Sequence, residues 1–512
     1  MPVWGVCMRY FVFVLVCFFP VVAVGDLRWM PFQTGPATDN VSSFQLAANT
    51  KNQVLLAWFQ PDDQTIYASS YHFLEKNWNS NTLATLDHDS ITLLSLYFND
   101  QGEASLLWLD GIENTLSLAH LTAESVWSSP THLSLTSPIK SIQTLFDDKG
   151  NLSVVWSAWN GLENMIQGAF FSKVAMNWTP ISDLSPIGFT CCCPKMAMNA
   201  QGEGVVAWQT SSVHAKGSLQ SFIQAVTFNQ HTTRWSKPVY FGYDWANTQL
   251  ANPAVSIDAN NDIALFWDKV GPNKHEVRLQ YARFLASKQQ WTHISELELG
   301  TMYPQFGEKG RLIWTVKEGD PKGLYTAEFD ITDGLFLNTY HLANLDQKIS
   351  NISMSHDPLG KWNLFWINGG SLQVTHHDKQ WKAPITIDKK LKCEVYDFAR
   401  DPFGNVLLAI VHKGKILYSI GDYLLPPEIF YGKRVEVRYP TRKGYYAYLN
   451  WNHTYSPNVI GYILRRNGKI LAKLPPQTLQ YADYHCPISG VQYTLTVMNV
   501  DNIESLPVQQ NL

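Results

Sequence analysis

The sequence predicts an all-β protein in two parts, an eight-bladed β-propeller (alternatively seven-bladed) followed by a smaller β-sandwich. Three observations carry that expectation. A turn of the form Asp/Asn-x-x-Gly recurs at steps of about fifty residues, and each copy opens into an apolar run that usually ends in tryptophan. A further aromatic pair spaced by seven residues follows in most copies. The composition sets 19 Trp, 23 Tyr and 25 Phe against only 16% charged residues, which suits an all-β globular chain rather than a coiled coil or a disordered one.

Taken in order, the first two strands of each repeat are the clearest. Asn99-Asp-Gln-Gly102 runs to Trp108, Asp147-Asp-Lys-Gly150 to Trp156, Asn199-Ala-Gln-Gly202 to Trp208 and Asp357-Pro-Leu-Gly360 to Trp366. Weaker copies are Lys51-Asn52 to Trp58, Asp258-Ala-Asn-Asn261 to Trp267, Lys309-Gly310 to Trp314 and Asp401-Pro-Phe-Gly404 to Ile410. The end positions lie 50, 48, 52, 59, 47, 52 and 44 residues apart, a period that fits propeller blades. Asp or Asn bonds the backbone two residues on and Gly takes positive φ, so the turn joins an inner strand to a second one. The second strand is apolar on both faces, as a strand covered by neighbouring blades must be.

A third strand follows in every copy, and seven residues after its Tyr71, His120, Phe171, Phe228 or Phe284 comes Trp78, Trp127, Trp178, Trp235 or Trp291. Proline three residues after Trp127, Trp235 and Trp381 marks the outer strand, since proline has no amide hydrogen for a ladder. The eighth copy stops after three strands near Asp422, whereas Leu27-Arg-Trp29-Met-Pro31 reads as an outer strand without a blade. Pairing these two ends would close the ring and remove a free edge.

Residues 1–25 read as a secretory signal peptide: Arg9, then the apolar stretch Tyr10 to Val24, then Ala23-Val-Gly25 as a small-residue cleavage site. Val16 before Cys17 is too large for a lipoprotein signal. No later apolar run reaches the ~18 residues that span a bilayer. The expected location is therefore secreted, periplasmic or at the cell surface. A net charge of −4 argues against nucleic acid as a partner. The expected domains are the signal peptide, a propeller over 26–423 and a third segment over 427–512.

That third segment resembles a fibronectin type III module. Trp451 lies in an early strand, Val459 to Ile470 forms a hairpin around Asn467-Gly468, and Tyr493-x-Leu495-x-Val497 is similar to the tyrosine-corner strand of that family. It lacks Arg-Gly-Asp, so the integrin-binding loop of the family does not carry over. As a whole, the chain resembles uncharacterised secreted bacterial proteins that join a sialidase-like or generic β-propeller to such a module. The turn departs from the sialidase Asp-box Ser-x-Asp-x-Gly-x-Thr-Trp, and neither an arginine triad nor a tyrosine nucleophile can be placed.

The candidate site residues follow from propeller geometry. With the Gly turns on one face, the loops between second and third strands and those entering each inner strand share the other. Trp159, Asp110, Glu113, His214, Asp268 and His275 lie in these segments and are the ligand-binding candidates. Cys191-Cys192-Cys193 precede an inner strand in an expected channel-mouth loop. They allow a disulfide with Cys393 or Cys486, a soft-metal site or an incidental run, and five cysteines after signal cleavage leave at least one free thiol in a monomer. His376-His377-Asp378 alternates across a strand, and the Asp-x-x-Gly turns supply too few oxygens for calcium. No metal or cofactor is expected. The favoured function is a secreted or surface binding protein, acting as a monomer, that recognises a protein or glycan through the loop face. The alternative is a carbohydrate-active hydrolase or lyase using paired carboxylates such as Asp110 and Asp268 in the funnel.

Overall fold

The computed structural model describes residues 28–512 except 38–39, 52, 73–76, 86–88, 214–218, 245–247, 272–276, 298–300, 307–309, 317–321, 345–348, 357–360, 379, 389–390, 394, 402–403, 423, 425, 428, 439–442, 455–458, 488–489, 500–503 and 506. The expected signal peptide lies outside the described residues. The chain divides into two compact units, Leu27–Asp422 and a C-terminal one beginning at Tyr423.

In the larger unit, eight antiparallel sheets succeed one another in chain order, with inner strands at Ser43–Ala48, Ile91–Phe98, Ile139–Phe146, Thr190–Met198, Gln249–Ile257, Thr301–Phe306, Ile349–His356 and Tyr396–Arg400. Each inner strand pairs with a second strand, which pairs with a third, as in a propeller blade. The turn residues act as their chemistry dictates. Asn99 Oδ1 accepts from the N–H groups of Gln101 (3.0 Å) and Glu103 (2.9 Å), and Gly102 takes φ +81°. Asp147, Asn199 and Asp258 repeat the same pair of bonds to the residues two and four positions on. So does Asn49, with Lys51 and Gln53. The first turn therefore starts at Asn49, two residues before the fragment legible by comparison with the other copies.

The second-strand tryptophans form the inter-sheet core. Trp108, Trp156, Trp208, Trp267 and Trp366 are fully buried. In three successive sheets a third-strand glutamine takes up the indole N–H: Trp156 to Gln167 (3.2 Å), Trp208 to Gln224 (2.7 Å) and Trp267 to Gln280 (2.9 Å). A buried indole donor needs such a partner, or its burial costs about 1–3 kcal/mol.

The outer strand shows why proline follows its tryptophan. Where proline is present the strand splits, as Arg234–Trp235 and Val239–Asp244 around Pro238, or Gln380–Trp381 and Ile385–Thr386 around Pro384. Without one it stays continuous in Asn77–Thr85 and Leu335–Asn344, whereas the fifth sheet splits with no proline, as Gln290–Trp291 and Ser295–Leu297. At the split a hydroxyl next to the tryptophan accepts the third-strand N–H: Thr179 from Phe170 (3.0 Å), Ser236 from Thr227 (2.9 Å) and Thr292 from Arg283 (3.0 Å).

The ring closes as the two ends of the repeat require. Arg28–Trp29 and Gln33–Thr34, split around Pro31, pair with the third strand of the last sheet, Lys415–Asp422, in the position of an outer strand. Trp29 meets Phe365 edge-on at 5.9 Å. One buried cluster joins the first and last sheets through Phe44, Trp58 and Tyr71 on one side and Leu407, Tyr418 and Ile420 on the other. Asp397 of the last inner strand adds a direct bond, its Oδ2 accepting from Leu46 N–H of the first at 2.7 Å.

The C-terminal unit holds two sheets. One pairs Phe430–Arg438, Lys443–Trp451 and Gln480–Asp483; the other orders Lys469–Leu474, Val459–Arg466, Gln492–Asn499 and Val508–Asn511. Asn467 (φ +49°) and Gly468 (φ +79°) make the two-residue hairpin turn. Trp451, Tyr462, Leu464, Tyr493 and Leu495 pack between the sheets. Asp483 joins the two faces, its Oδ2 accepting from the buried Tyr493 hydroxyl (2.6 Å) and from Arg466 Nη1 (2.7 Å). Burial pushes the Asp483 carboxyl up, but the bonds from Tyr493, the His485 N–H and Arg466 outweigh it and hold the group below the usual carboxylate range. Its stabilisation is therefore present above about pH 4 and is lost as pH falls through the lowered value. Asp483→Ala should cost about 2–4 kcal/mol. Hydrogen exchange on the full chain should show lost protection across Gln492–Asn499 while Gln53–Gln60 is unchanged; equal protection in both strands would sink this assignment.

Candidate binding face between the third and fourth sheets

The loops between second and third strands, with the starts of the inner strands, occupy one end of the larger unit. Trp159 ends the second strand of the third sheet, where pairing with Asn164 fixes its backbone. Its indole is 42% exposed, with the Lys140 ammonium 5.2 Å from the ring centroid. Lys140 sits at a bulge in the neighbouring inner strand, which brings its stem beside this loop. Asn160 Oδ1 accepts from the N–H groups of Leu162 and Glu163, both at 2.9 Å, and shapes the turn that carries Leu162 outward. Glu163 Oε1 in turn accepts from Gly188 N–H at 2.8 Å, tying this turn to the loop that enters the fourth sheet. Leu162 and Ile187, on the two tied loops, are each 86% exposed. One aromatic and two aliphatic side chains are thus presented to solvent on anchored backbone.

The sequence nominates Trp159 for this face and does not single out Lys140, Leu162 or Ile187. An apolar residue directly after Asn160-Gly161 was the available signal for Leu162, because turn positions are ordinarily polar. Lys140 and Ile187 carry no such mark.

The nominated carboxylates do not form an open pair. Asp110 is buried, and its Oδ1 accepts from the Ile112 (3.0 Å) and Glu113 (2.9 Å) N–H groups, so it shapes a turn as Asn160 does. Glu113 is exposed on that turn. Asp268 is completely buried three sheets further on, and its Oδ2 accepts from Asn252 Nδ2 at 2.8 Å. Asn252 is the left-handed residue (φ +52°) of an inner-strand bulge, so this carboxylate braces a distorted backbone. The two carboxylates thus lie buried in the second and fifth sheets, each hydrogen-bonded within its own sheet. His214 and His275 lie outside the described residues.

The cysteine run is not in a loop. Thr190 to Cys192 already pair with Gln209 to Ser211 inside the fourth inner strand, and Cys193-Pro194 form the bulge that follows. Cys191 is buried between sheets, with Sγ 3.6 Å from Thr210 Oγ1. Cys192 is partly exposed and Cys193 exposed. No disulfide joins the five described cysteines, and Cys393 and Cys486 are both buried, so the pairing of the run with either is not formed. Among the described residues no group of three or more His, Cys, Asp or Glu side chains is placed to hold a metal ion.

The opposite end of the larger unit, on the side of the Asx turns, carries a cavity of about 570 Å³. Inner strands of the first, second, seventh and eighth sheets line it, with Asn49, Thr50, His356 and Arg400 among its polar groups. Sequence geometry directed attention to the loop face alone; this cavity is made by four inner strands whose spacing around the axis no single repeat encodes.

No protein-family model matches the chain, and neither does any curated protein. Among solved structures it is similar to the polysaccharide lyase Uly1, at 10% identity over 70% of this chain and 91% of that one, with a TM-score of 0.41. It is also similar to the Dos1 propeller (8% identity, 77% and 94% coverage, TM-score 0.47). A third is the β-propeller domain of the Trilobed protease from Pyrococcus furiosus (9% identity, 69% and 97% coverage, TM-score 0.39). Likeness at this level does not extend to ligand or chemistry, and the fold rests on the strand pairing above. Among the described residues no helix is long and apolar enough to cross a membrane.

Proposed function

We propose that this is a binding protein, secreted or held at the cell surface, that recognises a protein or glycan through the loop face between the third and fourth sheets. The observation that carries this reading is the exposed group of Trp159, Leu162 and Ile187 on tied loops. Large apolar side chains held out on rigid backbone lose little entropy on docking, and an indole beside a cation suits either a sugar face or an interface anchor. The C-terminal unit, read as a fibronectin type III-like module, would space or dock this head. The burial of Asp110 and Asp268 favours this reading over the carbohydrate-enzyme alternative.

A glycan-array and protein-binding screen tests the proposal, run with the natural chain, Trp159→Ala and Leu162→Asp. Because both side chains are exposed, each variant should unfold within about 0.5 kcal/mol of the parent. Each should lose at least about tenfold in affinity, which corresponds to about 1.4 kcal/mol. A partner found in the screen whose affinity is unchanged in both variants would overturn the assignment of this face.

A further inference from the structure

The two adjacent thiols at the start of the fourth inner strand are closer than separate thiols sit. Cys192 Sγ and Cys193 Sγ are 2.6 Å apart, inside the usual reach of a thiol hydrogen bond. Backbone geometry produces the approach. Neighbouring side chains on a regular strand point to opposite faces. Here Cys193 has φ +60° at a bulge where two residues are extruded between Cys192 and Lys195, and that turns its side chain back beside its neighbour. The equivalent bulge of the fifth sheet places Asn252 (φ +52°) and that of the seventh Asn351 (φ +49°), and asparagine is the residue this left-handed conformation favours after glycine. A cysteine in the same position is strained without gaining asparagine's local hydrogen bonding.

We propose that Cys192 and Cys193 are a vicinal dithiol that closes to a disulfide between neighbouring residues at the bulge of the fourth inner strand, giving the protein a reversible redox-modified site. The partner class is a disulfide-bearing oxidant, either a small-molecule disulfide or a thiol–disulfide oxidoreductase. The Cys193 thiolate attacks one sulfur of the oxidant, forming a mixed disulfide and releasing the first oxidant thiol. Cys192 then gives up its proton and attacks Cys193 Sγ, releasing the second. Two thiols are oxidised and one disulfide is reduced to two thiols, so atoms and electrons balance.

The order of attack follows from the surroundings. The hydrogen bond between the two thiols, opposed by partial burial and helped by the exposed Lys195, brings the Cys193 thiol down to about 7, while the same contact pushes Cys192 up. Cys193 is also the exposed member of the pair. Cys191 is excluded because its sulfur faces Thr210 and Gln224 between the sheets, and burial pushes its thiol up. The same geometry makes the reduced pair a chelating site for a trivalent arsenical, which joins two neighbouring sulfurs.

Mass spectrometry on the purified full chain decides the matter. After equilibration with oxidised glutathione, acid quenching and alkylation in denaturant, tryptic peptide 174–195 should carry one carbamidomethyl group, at Cys191, and lie about 2 Da below the dithiol mass at the other two sulfurs. After reduction it should carry three groups. On the reduced native protein, phenylarsine oxide should protect two thiols from alkylation, and Cys193→Ser should abolish both the closure and the protection while leaving the circular dichroism unchanged. Three alkylated cysteines in the oxidised sample would overturn the proposal, as would a disulfide joining Cys191, Cys393 or a second chain.

Discussion

Arg311→Ala is expected to lower the unfolding free energy of the larger unit by about 3–5 kcal/mol. Arg311 follows the turn at Gly310 and is completely buried between the sixth and seventh sheets. Its guanidinium carbon lies 4.9 Å from the Trp362 ring centroid and 5.8 Å from that of Trp381, and Glu328 accepts from its Nη2. The Nε and Nη1 groups have no hydrogen-bond acceptor among the described residues, so the electron-rich faces of the two indoles answer the charge. Burial holds the guanidinium below its ordinary value, and Glu328 partly restores it.

Alanine removes the stem that fills the space between sheets, whereas Arg311→Met keeps most of that volume and should recover at least half of the loss. Glu328→Gln should cost less, about 1–2 kcal/mol, because the Glu328 side chain is 42% exposed and water screens the pair. Urea midpoints of the three variants check this order. A Glu328→Gln loss as large as that of Arg311→Ala would mean that the ion pair, not the aromatic contacts, supports the buried charge.

Asp397 should make the stability of the larger unit fall as pH rises from about 4 to about 7. Its carboxyl bridges the ring closure, with Oδ2 accepting from Leu46 N–H (2.7 Å) and Oδ1 from Phe398 N–H (2.9 Å). Burial pushes its pKa from 3.8 up to about 7, and the two N–H bonds oppose that only in part. The folded form therefore keeps its proton where the unfolded chain has lost it. Below about pH 4 both states are protonated and nothing is lost. Between the two values the unfolded state gains by ionising, and above about 7 the penalty is constant. The full interval corresponds to about 4 kcal/mol, and the partial solvent contact of the side chain brings the expected change to about 2–3 kcal/mol.

Asp397→Asn keeps an acceptor for one of the two N–H groups and removes the titration. It should flatten the profile between pH 4 and 7 and leave the variant at least as stable as the parent at pH 8. Unfolding measured at half-unit pH steps tests this. A variant with the parent's slope would assign the pH dependence elsewhere. Hydrogen exchange of Ser43–Ala48 should follow the same profile in the parent, because the bond from Leu46 ties the first inner strand to the last.

Residue order alone specifies what is built from bonds between near neighbours. Asn99, Asp147 and Asn199 bond residues two and four positions on, Gly102 supplies positive φ, and Asn467-Gly468 makes a two-residue hairpin, so residue identity and local spacing specify each turn. The period of these turns gave the succession of sheets. The isolated Trp29 and the missing outer strand near Asp422 gave the closure, because an unpaired edge has a definite complement. Tertiary structure decided what depends on residues brought together from separate repeats. Asp397 meets Leu46 across 351 positions, Arg311 lies between Trp362 and Trp381, and Leu162 gains its place through Glu163 and Gly188. Asp110 and Asp268 share a residue type that suggested catalysis, but the burial and hydrogen-bond partners of each carboxylate are set by the packing of the assembled sheets. The thiols of Cys192 and Cys193 likewise meet because one residue takes a left-handed backbone angle. Burial and direction are properties of the assembled ring, and no single fifty-residue repeat contains them.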